Sequence, residues 1–186
     1  QYLIDNFKLQ VRVVAMTNSK KMLFNEDGID LDNWKNQLPK AEDLDMDLFH
    51  QKVTDLNYRN SIFVDNTATE KVSGLYADYL KESVAVVTCN KIACSSNFTN
   101  YLNLKQLSRE YNAPFLFETN VGAGLPIIDT LKNLIASGDK VTKIQAVLSG
   151  SLNFVFNNFN NETSFAEVVD QASIQGYTEP DPRIDL

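Results

Sequence analysis

Val84-Ala85-Val86-Val87-Thr88 is an uncharged run of mainly β-branched residues, and such runs are typical of buried β-strands. Outward from it, Ser61 to Asp65 is a second short run that predicts a buried strand. A helical pattern of apolar residues begins at Thr69, between the two runs, and another covers about residues 95–112. Strands that alternate with helices at this spacing are joined by right-handed crossovers. The sequence therefore predicts an α/β fold with a mainly parallel, doubly wound sheet.

Further upstream, the valine-rich residues 9–17 predict another strand, and residues 18–21 predict the turn that ends it. Residues 30–38 and 45–57 carry apolar side chains at helical spacing, and Asp30 is suited to cap the first of these two helices. Together these elements correspond to the later portion of a Rossmann-like nucleotide-binding domain.

A change of pattern near Pro114 to Val121 predicts a domain boundary. Beyond it the sequence predicts, in order, a helix, a strand and two helices, over residues 125–136, 140–148, 151–159 and 164–175. A strand flanked by helices indicates the start of an α+β substrate or catalytic domain. We therefore expect two domains, residues 1–117 and residues 118–186.

Composition narrows the class of protein. Of the 186 residues, 44% are hydrophobic and 22% are charged, which is typical of a globular protein with a substantial core. The net charge of −7 argues against a nucleic-acid partner. No apolar run reaches the roughly 18 residues that a membrane helix needs, and no signal peptide is recognisable. One histidine and two cysteines, Cys89 and Cys94, cannot build a zinc site, so we expect reduced thiols and a cytoplasmic protein.

The last eleven residues, Gly176 to Leu186, combine three carboxylates, an arginine, a tyrosine and two prolines. Glu179 and Asp181 each precede a proline, which predicts a stiff, extended backbone beneath the charges. Such a loop suits the binding of a small polar substrate. The alternative is a helix ended by proline and followed by a solvated, charged tail.

Two earlier segments each place a glycine-containing turn between a strand-like run and a helix. They are the glycine loop Glu118-Thr119-Asn120-Val121-Gly122-Ala123-Gly124-Leu125-Pro126 and the turn Leu148-Ser149-Gly150-Ser151-Leu152-Asn153-Phe154. Together with Gly176 to Leu186, in this order, they resemble the catalytic region of homoserine dehydrogenase. The resemblance extends from about Leu9 to Leu186. The segment from Asn18 to Trp34 is most similar to the dehydrogenase part of bifunctional aspartokinase–homoserine dehydrogenases.

This resemblance implies an oxidoreductase that interconverts L-aspartate 4-semialdehyde and L-homoserine with NAD(P)H, in threonine and methionine biosynthesis. It also implies a homo-oligomer and a possible fusion to an aspartokinase. Two other classes stay open: a related dehydrogenase acting on another amino-acid-derived aldehyde, and a degenerate, non-catalytic module of a larger chain.

Candidate cofactor residues lie where predicted strands end. After the first strand, Ser19 and Lys20, with Lys21, occupy the position at which an acidic residue would accept the ribose hydroxyls of NAD. No acid is present, so these residues favour NADP through its 2′-phosphate, with NAD still possible. The alternative is an ordinary lysine-bearing surface turn.

At the second strand end, the resemblance places Thr67 beside the cofactor, although a helix cap at Thr69 explains part of the same sequence. At the third, it places Lys91 between nicotinamide and substrate, where the alternative is a surface lysine. Glycine allows close backbone approach, so Gly176 is a further cofactor candidate.

For the substrate, Glu179 is the main candidate, because its carboxylate can balance the ammonium group of an amino acid. Asp185 is a second partner, and Tyr177 brings the main chain against the substrate. Asp181 and Arg183 are expected to pair with each other and brace the loop.

The glycine loop is not a phosphate fingerprint, because it lacks the third glycine and follows the wrong strand. Its small residues allow main-chain carbonyls to turn inward, which suits a hard monovalent cation. The family resemblance implies a sodium site formed by the carbonyl groups of Glu118, Val121, Ala123 and Leu125.

The chain departs from the family pattern at both ends. No Gly-x-Gly-x-x-Gly precedes residue 9, so the domain at 1–117 is expected to lack the pyrophosphate-binding turn. The catalytic aspartate and the proton-donor lysine of the family lie beyond the position equivalent to Leu186. We therefore expect a fragment that is inactive on its own.

Overall fold

The computed structural model describes residues 1–179 and 181–185. An exposed helix, α1 (Tyr2–Phe7), precedes three antiparallel strands in the order β1-β2-β3: β1 (Ala15–Thr17), β2 (Lys21–Phe24) and β3 (Glu42–Asp43). The predicted strand at residues 9–17 is therefore confirmed only over Ala15–Thr17, and the prediction that it belongs to a mainly parallel sheet is wrong. Asn18 Oδ1 accepts from the amides of Lys20 and Lys21, both at 2.8 Å, and this turn folds β2 back onto β1.

Two helices follow, α2 (Trp34–Gln37), which continues as a 3-10 turn (Leu38–Lys40), and α3 (Met46–Asp55). The predicted cap at Asp30 is wrong. Asp30 Oδ1 accepts from the amide of Asp32 in a local turn, and α2 begins only after Asn33.

Three parallel strands form the second sheet, β4 (Ile62–Asp65), β5 (Ala85–Thr88) and β6 (Phe115–Leu116), in the order β4-β5-β6. The crossovers contain α4 (Glu70–Ser73) and α5 (Tyr76–Lys81), then α6 (Ile92–Ser95) and α7 (Phe98–Glu110). This alternation confirms the predicted α/β class and the partial doubly wound sheet.

The main core lies on one face of the parallel sheet. Tyr76, Tyr79 and Leu80 of α5 and Leu104 of α7 are buried with Val86 and Phe115. Right-handed crossovers between strands that succeed each other in one direction place α5 and α7 on the same side of the sheet. On the other face, Ile62 is 59% and Val64 is 55% exposed, so the prediction of a buried strand at 61–65 is wrong for these two residues.

After β6 come a 3-10 turn (Glu118–Asn120), α8 (Ile127–Ala136), α9 (Gly150–Asn158), α10 (Phe165–Ile174) and a last 3-10 turn (Pro182–Ile184). Helices α9 and α10 pack through Val155, Val168 and Ala172. The predicted strand at 140–148 is absent, and these residues are exposed. An isolated extended segment cannot be stable as a strand without a neighbour to pair with, and the described residues provide none.

No helix among the described residues has both the length and the hydrophobicity that a membrane crossing requires. Pro180 and Leu186 lie outside the described residues, so the predicted stiffening of the backbone before Pro180 is not addressed by the structure.

Candidate functional site

The carboxyl ends of β4 and β5 lie side by side, because Asp65 pairs with Thr88 in the parallel register. Both residues are buried, and Tyr76 reaches them from the core. Its Oη donates to Asp65 Oδ2 at 2.5 Å and lies 2.7 Å from Thr88 Oγ1. Burial, and then the hydrogen bond to Asp65, raise the pKa of Tyr76 well above its usual range. The hydroxyl therefore stays protonated and serves Asp65 as a donor.

Two further neutral donors complete the surroundings of this buried carboxylate. The amide of Thr67 donates to Asp65 Oδ1 at 2.7 Å, and Asn90 Nδ2 donates to Asp65 Oδ2 at 3.1 Å. Asn90 is only 1% exposed. A buried polar group is costly unless it is hydrogen-bonded, so these contacts define how the two strand-end loops lie relative to each other.

A cleft of about 350 Å³ opens beside these strand ends. Val64, Val87 and Leu116 are in register on one face of the sheet and line it, and polar residues from the loops after the strands line it too: Asn66, Cys89 and Thr119. The volume lies at the lower end of the roughly 300–1,000 Å³ of small-molecule pockets. It suits one half of a dinucleotide, and a position beyond the carboxyl ends of parallel strands is where such ligands bind.

Lys91, just after β5, contacts the C-terminal loop. Its Nζ lies 3.8 Å from Glu179 Oε1, and the two side chains are 62% and 38% exposed. The structure therefore brings together two residues that the sequence predicted for the same site.

Asp185 supports Glu179 from the main chain. Asp185 Oδ2 accepts from the Glu179 amide at 2.7 Å, and Asp185 Oδ1 lies 3.4 Å from the hydroxyl of the buried Ser151. Ser151 lies in α9, so Asp185 ties the C-terminal loop to that helix. One oxygen of Asp185 thus orients Glu179 through the backbone.

Tyr177 and Gly176 have structural roles at the end of α10. Gly176 has φ of +78°, and its amide and that of Tyr177 donate to the carbonyls of Ser173 and Ala172. This is a Schellman cap, which glycine favours because it has no Cβ. The Tyr177 ring stacks on Phe154 with ring centroids 4.7 Å apart.

The turn that contains Thr67 and Thr69 was predicted both to cap a helix and to lie beside the cofactor, and the structure shows the cap. Thr69 Oγ1 accepts from the amide of Val72 at 3.4 Å, so the helix cap is confirmed. Thr67 is exposed in the same turn, at the carboxyl end of the parallel sheet.

Ser19 and Lys20 are exposed at the tip of the turn between β1 and β2, in the antiparallel sheet. Lys21, the third basic candidate, is engaged elsewhere: its Nζ lies 2.9 Å from Asp43 Oδ1 and 3.1 Å from the carbonyl of Ala41. The free candidates at this turn are therefore Ser19 and Lys20.

The carboxylate of Glu118 caps the start of α8. Its two oxygens accept from the amides of Ile128 and Asp129 at 2.8 and 2.9 Å. Within the same loop, Gly122 and Ala123 both have positive φ, of 72° and 51°. Two successive left-handed residues turn the chain sharply between Val121 and Leu125.

Asp181 and Arg183 form the predicted pair, with contacts of 2.8 Å from Nε and 2.5 Å from Nη2. The guanidinium holds the pKa of Asp181 below its usual range.

The cysteines are free thiols: Cys89 is exposed at the cleft, and burial raises the pKa of Cys94 to about 11.

Sequence reasoning assigned no role to Asp65, Tyr76 or Asn90. Asp65 and Asn90 had a weak signal, since each is a polar residue that directly follows a strand pattern. Tyr76 had none, because its hydroxyl reaches Asp65 only through the packing of α5 on the sheet.

The parallel sheet and the polar strand ends define an α/β protein of the dinucleotide-binding class. Residues 3–118 match the family model of the homoserine dehydrogenase NAD binding domain, and residues 126–186 match the model of homoserine dehydrogenase. The chain therefore belongs to the homoserine dehydrogenase family, and the resemblance predicted from its motifs is confirmed.

The sequences of individual relatives support the same family assignment. The chain is 43% identical to bifunctional aspartokinase/homoserine dehydrogenase 2 of Arabidopsis thaliana, over 98% of this chain and 20% of that protein. It is 44% identical to the bifunctional enzyme of Haemophilus influenzae, over 96% of this chain and 22% of that protein. The chain thus spans about a fifth of the length of these curated relatives.

Among solved structures, a hyperthermophilic archaeal homoserine dehydrogenase in complex with NADPH superimposes with a TM-score of 0.77. It is 26% identical in sequence, and the match covers 99% of this chain and 59% of that one.

Proposed function

We propose that the chain contributes the cofactor and substrate contacts of an NAD(P)-dependent homoserine dehydrogenase, which interconverts L-homoserine and L-aspartate 4-semialdehyde in the aspartate pathway to threonine and methionine. The observation that carries the proposal is the approach of Lys91 to Glu179 next to the strand-end cleft. A cation and a carboxylate that lie side by side and are both partly exposed suit a substrate with an ammonium group and a reacting oxygen.

For the substrate, the Glu179 carboxylate binds the ammonium group, and Asp185 orients the Glu179 backbone through its amide. Tyr177 closes one side of the site, supported by its stack on Phe154. Lys91 stabilises the negative charge that develops on the substrate oxygen during hydride transfer. The 3.8 Å contact between Lys91 and Glu179 is long, so both side chains have charge available for the substrate.

For the cofactor, Ser19 and Lys20 bind the 2′-phosphate of NADP, which gives NADP preference over NAD. Thr67, Lys91 and Gly176 lie against the nicotinamide and its ribose. When bound, the nicotinamide supplies or accepts the hydride. The NADPH complex of the archaeal relative supports this cofactor.

A monovalent cation, sodium, binds the main-chain carbonyls of Glu118, Val121, Ala123 and Leu125. The successive positive φ values of Gly122 and Ala123 support this site, because they turn the loop sharply where the ligands lie. The carbonyl of Leu125 already accepts from the amide of Ile127 at 2.9 Å, and its second lone pair suits a cation.

The domain boundary falls between residues 117 and 118, directly after the last parallel strand. The two family matches, which end at residue 118 and start again at residue 126, support this division. Fusion to an aspartokinase is supported by the bifunctional relatives. The proposal also includes that the protein is a homo-oligomer and that it is located in the cytoplasm.

The test is homoserine-dependent reduction of NADP and of NAD, in this chain and in the longest natural polypeptide that carries its sequence, below called the parent polypeptide. The proposal expects turnover of homoserine by the parent polypeptide, faster with NADP at low cofactor concentration, and none by the 186-residue chain alone. If the parent polypeptide binds NADP and oxidises another amino-acid alcohol but not homoserine, that alcohol replaces homoserine as the proposed substrate. One that turns over no substrate would contradict an enzyme.

A further inference from the structure

Asn90 uses every polar group that it has. Both hydrogens of its Nδ2 are donated, one to Asp65 Oδ2 at 3.1 Å and one to the carbonyl of Thr69 at 3.0 Å. Its Oδ1 accepts from the amide of Ile92 at 3.1 Å, and its own amide donates to Thr88 Oγ1 at 2.8 Å.

The fifth contact extends this arrangement to a third strand. Asn120 Nδ2 donates to the carbonyl of Asn90 at 3.2 Å, and Asn120 ends the 3-10 turn that follows β6. Asn90 therefore joins the carboxyl-terminal segments of all three parallel strands: residues 65–69 at the end of β4, residues 88–92 at the end of β5 and residues 118–120 after β6. These loops contain Thr67, Lys91 and Thr119, which lie at the candidate site.

We propose that Asn90 is a positioning residue, which fixes Lys91 relative to the loop of Thr67 and thereby sets the affinity for NADP. The inference rests on the proposed function, since Thr67 and Lys91 are assigned there to the cofactor. Asn90 itself is buried beneath the site and acts through its neighbours.

The acceptors around position 90, the Asp65 carboxylate and the Thr69 carbonyl, are best satisfied by the neutral side-chain amide of asparagine. Asp65 is a buried carboxylate and requires donors, and the neutral amide of Asn90 supplies one of them while also bonding to Thr69. An apolar side chain would leave Asp65 and the Thr69 carbonyl short of donors. An aspartate would place a second carboxylate within hydrogen-bond distance of the first.

The aspartate variant gives a test with a defined sign. In Asn90→Asp, two neighbouring carboxyl groups raise the pKa of the pair, which then holds one proton at low pH. That shared proton restores a hydrogen bond between the strand-end loops. As the pH rises through the raised pKa the proton is lost, and the two carboxylates repel each other.

Other titratable groups lie on the elements around this network. They are Tyr76 on α5, Cys94 on α6, Glu70 at the start of α4, Glu118 in the turn after β6 and Lys91 in the same loop, with Glu179 beyond Lys91. All are present in the unchanged protein as well, so the variant's additional pH dependence belongs to the pair formed with Asp65.

The measurement is the affinity for NADP by isothermal titration calorimetry, with the parent polypeptide, from about pH 5.5 to about pH 8.5. Asn90→Asp is expected to bind NADP within about threefold of the unchanged protein at the acidic end, and roughly tenfold or more weaker at the basic end. Amide hydrogen exchange without NADP is expected to become faster in residues 65–69 and 118–120 over the same pH range.

Asn103→Asp is the matched control, because it makes the same chemical change at an exposed position of α7. It is expected to follow the unchanged protein at every pH. A parallel pH dependence of Asn90→Asp and the unchanged protein would overturn the proposal, as would a lower Tm with unchanged affinity. If Asn90→Asp does not fold, Asn120→Ala removes a single contact to Asn90 and is expected to weaken NADP binding by about threefold.

The outcomes separate this proposal from the proposed function. An unchanged protein that binds NADP but does not oxidise homoserine contradicts the proposed function, whereas the affinity of Asn90→Asp still decides the role of Asn90. An unchanged protein that does not bind NADP at any pH overturns both. Unchanged affinity in Asn120→Ala, where Asn90→Asp is unfolded, also overturns the role of Asn90.

Discussion

Lys91 Nζ lies 3.8 Å from Glu179 Oε1 and so connects the loop after β5 with the C-terminal loop. Both side chains are partly exposed, and exposed ion pairs of this kind contribute only about 0–1 kcal/mol to stability. The contact is therefore a weak structural link between the two loops. Mutation of either residue therefore tests its proposed role at the site with little expected effect on stability.

Glu179→Ala in the parent polypeptide is expected to raise the KM for homoserine by roughly tenfold or more, because a charge-assisted hydrogen bond contributes about 1.5–3 kcal/mol. The value of kcat and the Tm should change far less. Initial rates at varied homoserine concentration measure both constants. Glu162→Ala, at an exposed residue between α9 and α10, is the control and should leave the KM unchanged. An unaltered KM in Glu179→Ala would remove Glu179 from the substrate site.

Tyr76→Phe should lower the free energy of unfolding by about 1.5–3 kcal/mol, because it removes a donor from the buried Asp65 carboxylate. Tyr79→Phe is a close control. Tyr79 is equally buried in the same helix, and its hydroxyl has no partner among the described residues. Its removal should be neutral or slightly stabilising, since a buried hydroxyl without a partner is costly. Urea unfolding of the two variants measures the difference, and equal losses would show that the Asp65 contact contributes nothing.

Sequence patterns within one segment predicted the fold correctly where the composition of that segment is enough to determine its structure. Val84 to Thr88 has the composition of a buried strand, and Ala85–Thr88 forms one whose residues are buried or partly buried. Residues 140–148 also have a strand pattern, but a strand needs a neighbour, and whether one is available cannot be read from the segment itself. The turn at residues 18–21 was predicted and Asn18 closes it, but the return of the chain as strand β2 was missed.

The candidate site likewise contains contacts within one segment, which the sequence predicted, and contacts between distant segments, which it did not. Asp181 and Arg183, which are separated by one residue, were predicted to pair with each other and brace the loop, and their pairing is confirmed. The contacts between Asp65, Tyr76 and Asn90 depend on the packing of α5 against the strand ends. Such contacts between distant segments have no local signal, so the sequence showed the charged loop of the site but not its buried support.

Lys20→Gln should raise the KM for NADP by several-fold and leave the KM for NAD within about twofold, because an exposed charge–phosphate contact contributes about 1 kcal/mol. Lys140→Gln makes the same change at another exposed lysine and serves as the control. Steady-state kinetics with both cofactors in the parent polypeptide provides the measurement. A rise of equal size for NAD and NADP would mean that Lys20 does not contact the 2′-phosphate.

Gly122→Ala should destabilise the protein by about 1–2 kcal/mol, because residue 122 has a φ of +72° that L-residues avoid. The new Cβ would also clash with Ile127 Cδ1, so that side chain must rotate. Gly124→Ala, two residues further on, has open space around the new Cβ and should be nearly neutral. If the sodium site is formed by this loop, Gly122→Ala should in addition reduce stabilisation by NaCl relative to KCl. Thermal unfolding in the two salts measures both effects, and the same sodium response in both variants would argue against the site.

Cys89 should react with iodoacetamide before Cys94, and NADP should protect it. Cys89 is exposed at the cleft, whereas burial raises the pKa of the Cys94 thiol to about 11. A raised pKa leaves little of the reactive thiolate at about pH 8, and the thiolate is the nucleophile. Peptide mapping by mass spectrometry after brief labelling of the parent polypeptide should therefore find the label on Cys89, reduced several-fold by saturating NADP. Cys89→Ser is the control and should remove the rapidly labelled fraction. Equal labelling of Cys89 with and without NADP would mean that the cofactor binds away from this cleft.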